Sequence, residues 1–211
     1  DADGLVAGFA DATGRQLPLV CTLNGAPVLA AVAAMLGVDL NRFADLALSA
    51  PAGAEGLIWV PYFDGERSPN LPDARGALQG TTTTNLTQAN VARAAVEGLL
   101  SSMAYCLDKI ADQGVEVDRV LLVGGGAHSA AVRVIAPAVL GRPVDVPTPG
   151  EYVARGAARQ ASWTLNPGGE PPEWALAGTE TFTADPTPAV LERYHEAQTL
   201  TFGQASKIFL V

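Results

Sequence analysis

The chain has 211 residues, 48% hydrophobic and 17% charged, which is enough apolar matter for one large domain and excludes a disordered segment. Its net charge of −9 argues against a nucleic-acid backbone or an anionic membrane surface as the main partner, although backbone N–H groups and helix N-termini still hold a single nucleotide. No apolar run reaches the ~18 residues of a membrane span, no leader is visible at Asp1, and Cys21 and Cys106 fit no metal or redox spacing, so both read as reduced thiols in a cytoplasmic protein.

In chain order, residues 5–9 and 17–23 read as extended runs parted by the turn Asp11-Ala12-Thr13-Gly14. The second is apolar enough to be a buried strand. Asn24-Gly25 opens a helix with Pro27 in its first turn and Gly37 as its stop, and a second helix covers 40–48. Residues 57–60 form a short strand. From 61 to 75 the chain is rich in Pro, Asp, Gly and Asn, a long irregular loop of the kind that is often functional. Residues 81–84 are four threonines and read as β-prone.

Thr87 caps a long helix whose apolar positions Ala92, Val96, Leu99, Met103, Leu107 and Ile110 keep a spacing of three or four, which predicts one core-facing side. Gly114 ends it. A buried strand over 119–123 runs into Gly124-Gly125-Gly126-Ala127-His128-Ser129, and a helix follows to residue 140. Residues 144–146 form a strand and 151–165 a helix with small residues at Ala154, Gly156, Ala157, Ala158 and Ala161. Residues 166–186 are rich in Pro and Gly and read as an arm across the surface; Thr187-Pro188 starts a last helix over 188–209. Strand and helix alternate in the second half, which predicts α/β layering.

The strongest local feature is the strand followed by three glycines and a serine. Consecutive glycines at a strand's carboxyl end let a flat ligand lie on bare backbone, and Ser129 is placed both to cap the next helix and to offer a hydroxyl. A tight β–α turn without a ligand is the alternative. The pattern lacks the Lys-Ser/Thr of a Walker A loop and the spacing of G-x-G-x-x-G. Asp64 and Glu66 border the irregular loop as candidate acid/base groups; the alternative is a hydrogen-bonded arrangement of Glu66 and Arg67 that fixes the loop. The small-residue helix allows close approach of a ligand ring, or simply tight packing on a sheet. His195 reads as a surface residue, and no His/Cys/Asp cluster has metal spacing.

The run Trp59-Val60-Pro61-Tyr62-Phe63-Asp64-Gly65-Glu66-Arg67-Ser68-Pro69 resembles the P-Y-x-x-G-E-R-[ST]-P loop of the FGGY carbohydrate kinases, above all their xylulokinase branch. Ala74-Arg75-Gly76-Ala77-Leu78-Gln79-Gly80 continues the likeness. Arg93-Ala94-Ala95-Val96-Glu97-Gly98 resembles the family's R-A-x-x-E-G helix, 121–129 its adenosine motif, and Gly156-Ala157-Ala158 its following G-A-A. Thr81, His128, Ala30 and Pro27 depart from the pattern.

The resemblance implies an α/β domain of the actin-like ATPase, ribonuclease H-like kind, the second lobe of a sugar kinase lacking its first two strands. It implies residues 1–165 as the nucleotide-binding lobe, 166–186 as the arm and 187–211 as a C-terminal helix on the same lobe. Gly124, Gly125, Gly126 and Ser129 become the adenosine platform, with Ala127 and His128 at the rim and Asn24 and Gly25 toward the phosphates. The cofactor implied is ATP with Mg2+, and the partner a sugar held by a first lobe. The catalytic Asp, the metal-linked Asp and the Gly-Thr-Ser-Gly phosphate hairpin of the family have no counterpart in this sequence. The start at Asp1 therefore suggests a piece of a longer protein. The two missing strands would leave an open sheet edge, to be filled by the rest of the protein or by a second copy in a homodimer.

Overall fold

The computed structural model describes residues 4–165, 169–175 and 178–203. The expected end of the last helix, 204–209, lies outside the described residues, as do 166–168 and 176–177 of the arm.

One helix organises the fold. Thr87 caps α3 (Gln88–Ala111) by accepting from the Asn90 N–H at 3.2 Å. Sequence periodicity predicts one core-facing side; in the structure residues 90–102 are buried all round. Alanine, glycine and serine on the other faces leave room for neighbours on every side. Packed around α3 are α1 (Ala26–Met35), α2 (Leu40–Ser49), α4 (Ala130–Leu140) and α6 (Pro188–Phe202). Asp39 caps α2 by accepting from the Arg42 N–H at 2.7 Å, and Gly37 at φ +70° breaks the chain between α1 and α2 as expected.

The strand β3 (Ile58–Val60) also lies on α3. It pairs antiparallel with β4 (Ala77–Gln79), with Trp59 opposite Leu78. The threonines 81–84 do not form a strand. Gly80 turns away at φ +73°, and the Thr82 hydroxyl accepts from the Asn85 N–H at 3.1 Å while the Thr82 N–H donates to the Asn85 side chain at 2.8 Å. Side chains that bond their own backbone compete with a ladder.

The α/β layer itself is a three-stranded sheet in the order β5 (Val120–Leu121), β6 (Val144–Pro147), β7 (Thr179–Phe182). β5 and β6 are parallel, and β7 returns antiparallel with Val144 opposite Phe182. The arm therefore contributes a strand as well as a crossing. β1 (Ala7–Ala10) and β2 (Gln16–Leu19) form a separate hairpin closed by Asp11, whose carboxylate accepts from the Thr13 and Arg15 N–H groups.

Two expectations of burial fail. Leu17 and Leu19 of the hairpin are exposed, and so are Leu121 of β5 and Val123 just after it. Among the described residues the hairpin pairs only with itself, and β5 pairs only with β6. No second layer covers these side chains. Likewise α5 (Tyr152–Thr164) buries none of its residues, and an added Cβ on Gly156 would meet nothing within 4 Å. Tight sheet packing therefore does not account for its small residues among the described residues. Its contacts run instead to the arm: Arg155 and Arg159 donate to the carbonyls of Ala175 and Pro172, at 2.7 and 2.6 Å.

Candidate functional site

The glycine turn begins with a constraint on one residue. Gly124 sits at φ +89°, ψ −170°, a region that side chains forbid. Gly125–His128 then make one 3-10 turn, and Ser129 caps α4 with its hydroxyl 3.4 Å from the Val132 N–H. Gly125 and Gly126 differ from Gly124. Their φ values are not positive, and a Cβ on either would meet no atom within 4 Å. The fold does not require glycine at these two positions; the space in front of them is open.

That space is a cleft of about 350 Å³ between the turn and the helix pair α1–α2. Gly125, Gly126 and Ser129 form one wall; Ala26, Leu29 and Phe43 belong to the other. Polar groups at the margin include Asn41 and Asp45. Apolar walls with a few polar groups suit a flat ligand that is partly polar. A second cleft of about 300 Å³ lies across the turn, between it and the segment from Pro147 to Tyr152. Gly124 and Ala127 line this second cleft, and His128 lines both. The six turn residues singled out in the sequence are thus divided between two cavities.

Asn24 does not take the position expected of it. Its side chain is buried and engaged by the irregular loop: it donates to the Gly65 carbonyl at 2.7 Å and to Glu66 Oε2 at 2.9 Å, and accepts from the Phe63 N–H at 3.0 Å. No polar atom of that side chain is left over for a phosphate. Gly25 N-caps α1 without a side-chain bond, and no acidic residue stands in the helix's first turn. It is the next residue, Ala26, that reaches the first cleft. Leu29, Phe43 and Asp45 were not legible as site residues. Only the fold turns their helices toward the glycines.

Glu66 explains the loop. It is 1% exposed, and its Oε1 accepts from the N–H groups of Leu23 at 2.8 Å and Arg67 at 2.7 Å. The fixing role is therefore the one observed, through backbone donors and not through an ion pair with Arg67, which is exposed along with Asp64. Glu66→Ala leaves those donors and the Asn24 amide without an acceptor. It is expected to lower unfolding stability by about 3 kcal/mol, measured by urea denaturation of the full-length protein. Alongside, Tyr62 receives hydrogen bonds from Tyr194 at 3.2 Å and Gln198 at 2.6 Å, which fasten α6 to the loop. Burial pushes the Tyr62 hydroxyl's pKa up to about 12, so it stays protonated. His195, beside the Tyr194 ring at 6.0 Å, is half-buried and not a free surface residue.

A second signature resolves into packing. Arg93 and Glu97 form a buried ion pair at 2.6 Å, and the Glu97 carboxylate also accepts from the Gly53 N–H at 2.9 Å. Gly98, the next residue, lies against the Trp59 carbonyl. The R-A-x-x-E-G run thus docks α3 on the chain around β3.

A strand, a glycine turn and a capped helix beside an open cleft define an α/β domain with bare backbone at a strand's carboxyl end, where ligands of such sheets collect. The pattern describing the C-terminal domain of the FGGY family of carbohydrate kinases matches residues 30–165. The chain belongs to that family. It is 39% identical over 197 residues to a xylulose kinase of Streptomyces rubiginosus, covering 93% of this chain and 38% of that protein. The crystal structure of xylulose kinase from Bifidobacterium adolescentis superposes with a TM-score of 0.84 at 50% identity, over 94% of this chain and 39% of the other. That of xylulose kinase from Rhodospirillum rubrum gives 0.79 at 25% identity, over 98% and 43%. The fold is that of the actin-like second lobe, and the chain spans about two fifths of the length of these relatives.

Proposed function

We propose that this chain is the adenosine-binding half of a kinase that transfers the ATP γ-phosphoryl group to a sugar, with D-xylulose, phosphorylated at C5, as the first substrate to test. The observation that carries the reading is the pair Gly125 and Gly126, whose missing side chains the fold does not need and which open directly on the first cleft. Relatives named as xylulose kinases, similar over more than nine tenths of this chain, support the choice of sugar.

In this reading the purine and ribose lie in the cleft between Gly125–Gly126 and the start of α1. The Ser129 hydroxyl lies at the ribose side, and Ala26 with Leu29 backs the ring. The backbone N–H groups at the N-terminus of α1, without a competing carboxylate, favour the phosphates. Such transfer is mostly positioning and charge neutralisation, and this half contributes the positioning. The apolar, partly enclosed walls fit a nucleoside. Among the described residues no group of three His, Cys, Asp or Glu converges to hold a cation. Mg2+ is assigned to the phosphates and to carboxylates of the first lobe, as is the base that deprotonates the sugar. The chain on its own is proposed to bind nucleotide without turnover, and the whole protein to act in the cytoplasm.

The test is an ADP-release assay on the full-length protein with D-xylulose, ribulose, gluconate and glycerol. D-xylulose is expected to give the highest kcat/KM. Turnover with another sugar alone would reassign the substrate, and no sugar-dependent turnover from well-folded protein would remove the kinase reading.

A further inference from the structure

Arg133 stands one helical turn after Ser129 on α4 and lines both clefts that flank the glycine turn. It makes no ion pair among the described residues. Its guanidinium lies 5.7 Å from the centre of the Phe182 ring, which holds it by a cation–π contact. Its Nε is buried with no acceptor. That nitrogen is closed to solvent, so a ligand in either cleft meets the guanidinium only at its other nitrogens.

The second cleft has the room for such a ligand. At about 300 Å³ it is at the small end of metabolite sites. Its hydroxyl protons are already committed: Thr148 donates to the Gly178 carbonyl at 2.8 Å, and Tyr152 donates to the Thr148 carbonyl. The side chains left to donate into it are Arg133 and His128; the exposed Glu180 carboxylate lines it too and competes for them. Two nitrogen donors, one of them a permanent cation, select an acceptor with at least two oxygens and negative charge.

We propose that the second cleft is an oxyanion site, taking the phosphate or carboxylate group of a small metabolite on Arg133, with His128 as the second donor. The site lies across the turn from the cavity assigned to the nucleotide, with Arg133 and His128 bordering both, and nucleotide and anion are placed there side by side. A guanidinium fork pairs with either oxyanion in bidentate fashion.

Inorganic phosphate is the probe, titrated calorimetrically into the full-length protein with and without saturating ADP; acetate is the second arm, separating phosphate from carboxylate preference. Saturable binding of at least one anion, retained in saturating ADP, is the expected result. Arg133→Met keeps an aliphatic stem over Phe182 and removes the charge; it is expected to raise the anion's Kd about tenfold or more, with Arg133→Lys in between. A second measurement does not depend on a variant folding. Phenylglyoxal modification of Arg133 in the wild-type protein, mapped by mass spectrometry, is expected to slow when the bound anion is present. No saturable binding of either anion would overturn the proposal, as would competition by ADP, an unchanged Kd in a folded Arg133→Met protein, or modification of Arg133 that the anion does not slow.

Discussion

Gly125→Val is expected to abolish ADP binding and leave the fold near native. The separation follows from where the new side chain goes. A Cβ at Gly125 meets no protein atom within 4 Å, and its φ is not positive, so neither a clash nor backbone strain opposes the substitution. Stability is expected to change by no more than about 0.5 kcal/mol. The isopropyl group nonetheless projects into the space between the turn and α1, where the adenosine is placed. An overlap that no side chain can relieve costs about 3 kcal/mol, about a hundredfold in Kd. Calorimetric titration of ADP and thermal unfolding of the same full-length variant read the two halves of the statement. A Kd within a factor of about 3 of wild type in the folded variant would take the nucleotide out of this cleft. Gly124→Val is the contrast: at φ +89° that glycine shapes the turn itself, and its loss is expected to cost stability as well as binding.

Gly98→Ala is expected to have the larger effect on the fold. A single methyl there would lie 2.0 Å from the Trp59 carbonyl oxygen and 3.1 Å from its carbon. Both are backbone atoms, held by the pairing of β3 with β4, so the strand cannot swing away as a side chain would. The helix cannot retreat either, because its opposite faces pack on α2 and α4. Separating α3 from β3 would also pull Glu97 from the Gly53 N–H, 2.9 Å away. Overpacking a rigid site costs about 3 kcal/mol or more. That exceeds the usual benefit of about 1 kcal/mol from replacing glycine by alanine in a helix. Urea denaturation of the full-length variant measures the difference. An unchanged midpoint would mean that α3 and β3 are farther apart than described.

In the sequence Gly98 stands in a helix and Gly125 in a turn, but which of the two the packing requires is visible only in three dimensions. The local signals were legible. Thr87 and Asp39 mark helix starts by short-range hydrogen bonds, and three glycines before Ser129 mark a turn. What escaped depends on residues far apart in sequence. Asn24 was assigned to phosphates because it begins a helix, but Glu66, 42 residues away, engages its amide. β7 escaped because its ladder to β6 is supplied from an arm rich in breakers. The apolar runs around β2 and β5 read as buried, since hydrophobicity records what a strand is made to face. In the described chain Val120 and Leu122 pack on the core, while Leu121, Val123 and the hairpin leucines stay open. The pairing of Gly125 and Gly126 with α1 and α2 was likewise beyond reach, because helix packing and not spacing brings Ala26 and Phe43 opposite the turn.

The central claim is the seat of the nucleotide, and photolabelling tests it most directly. An ATP analogue carrying an azide on the purine is irradiated with the full-length protein, with and without excess ADP, and the modified peptides are sequenced. The account predicts ADP-suppressible label within residues 26–45 or 124–130, the two walls of the first cleft. Label that ADP suppresses and that falls only elsewhere, for instance on residues 147–152 of the second cleft, would contradict it.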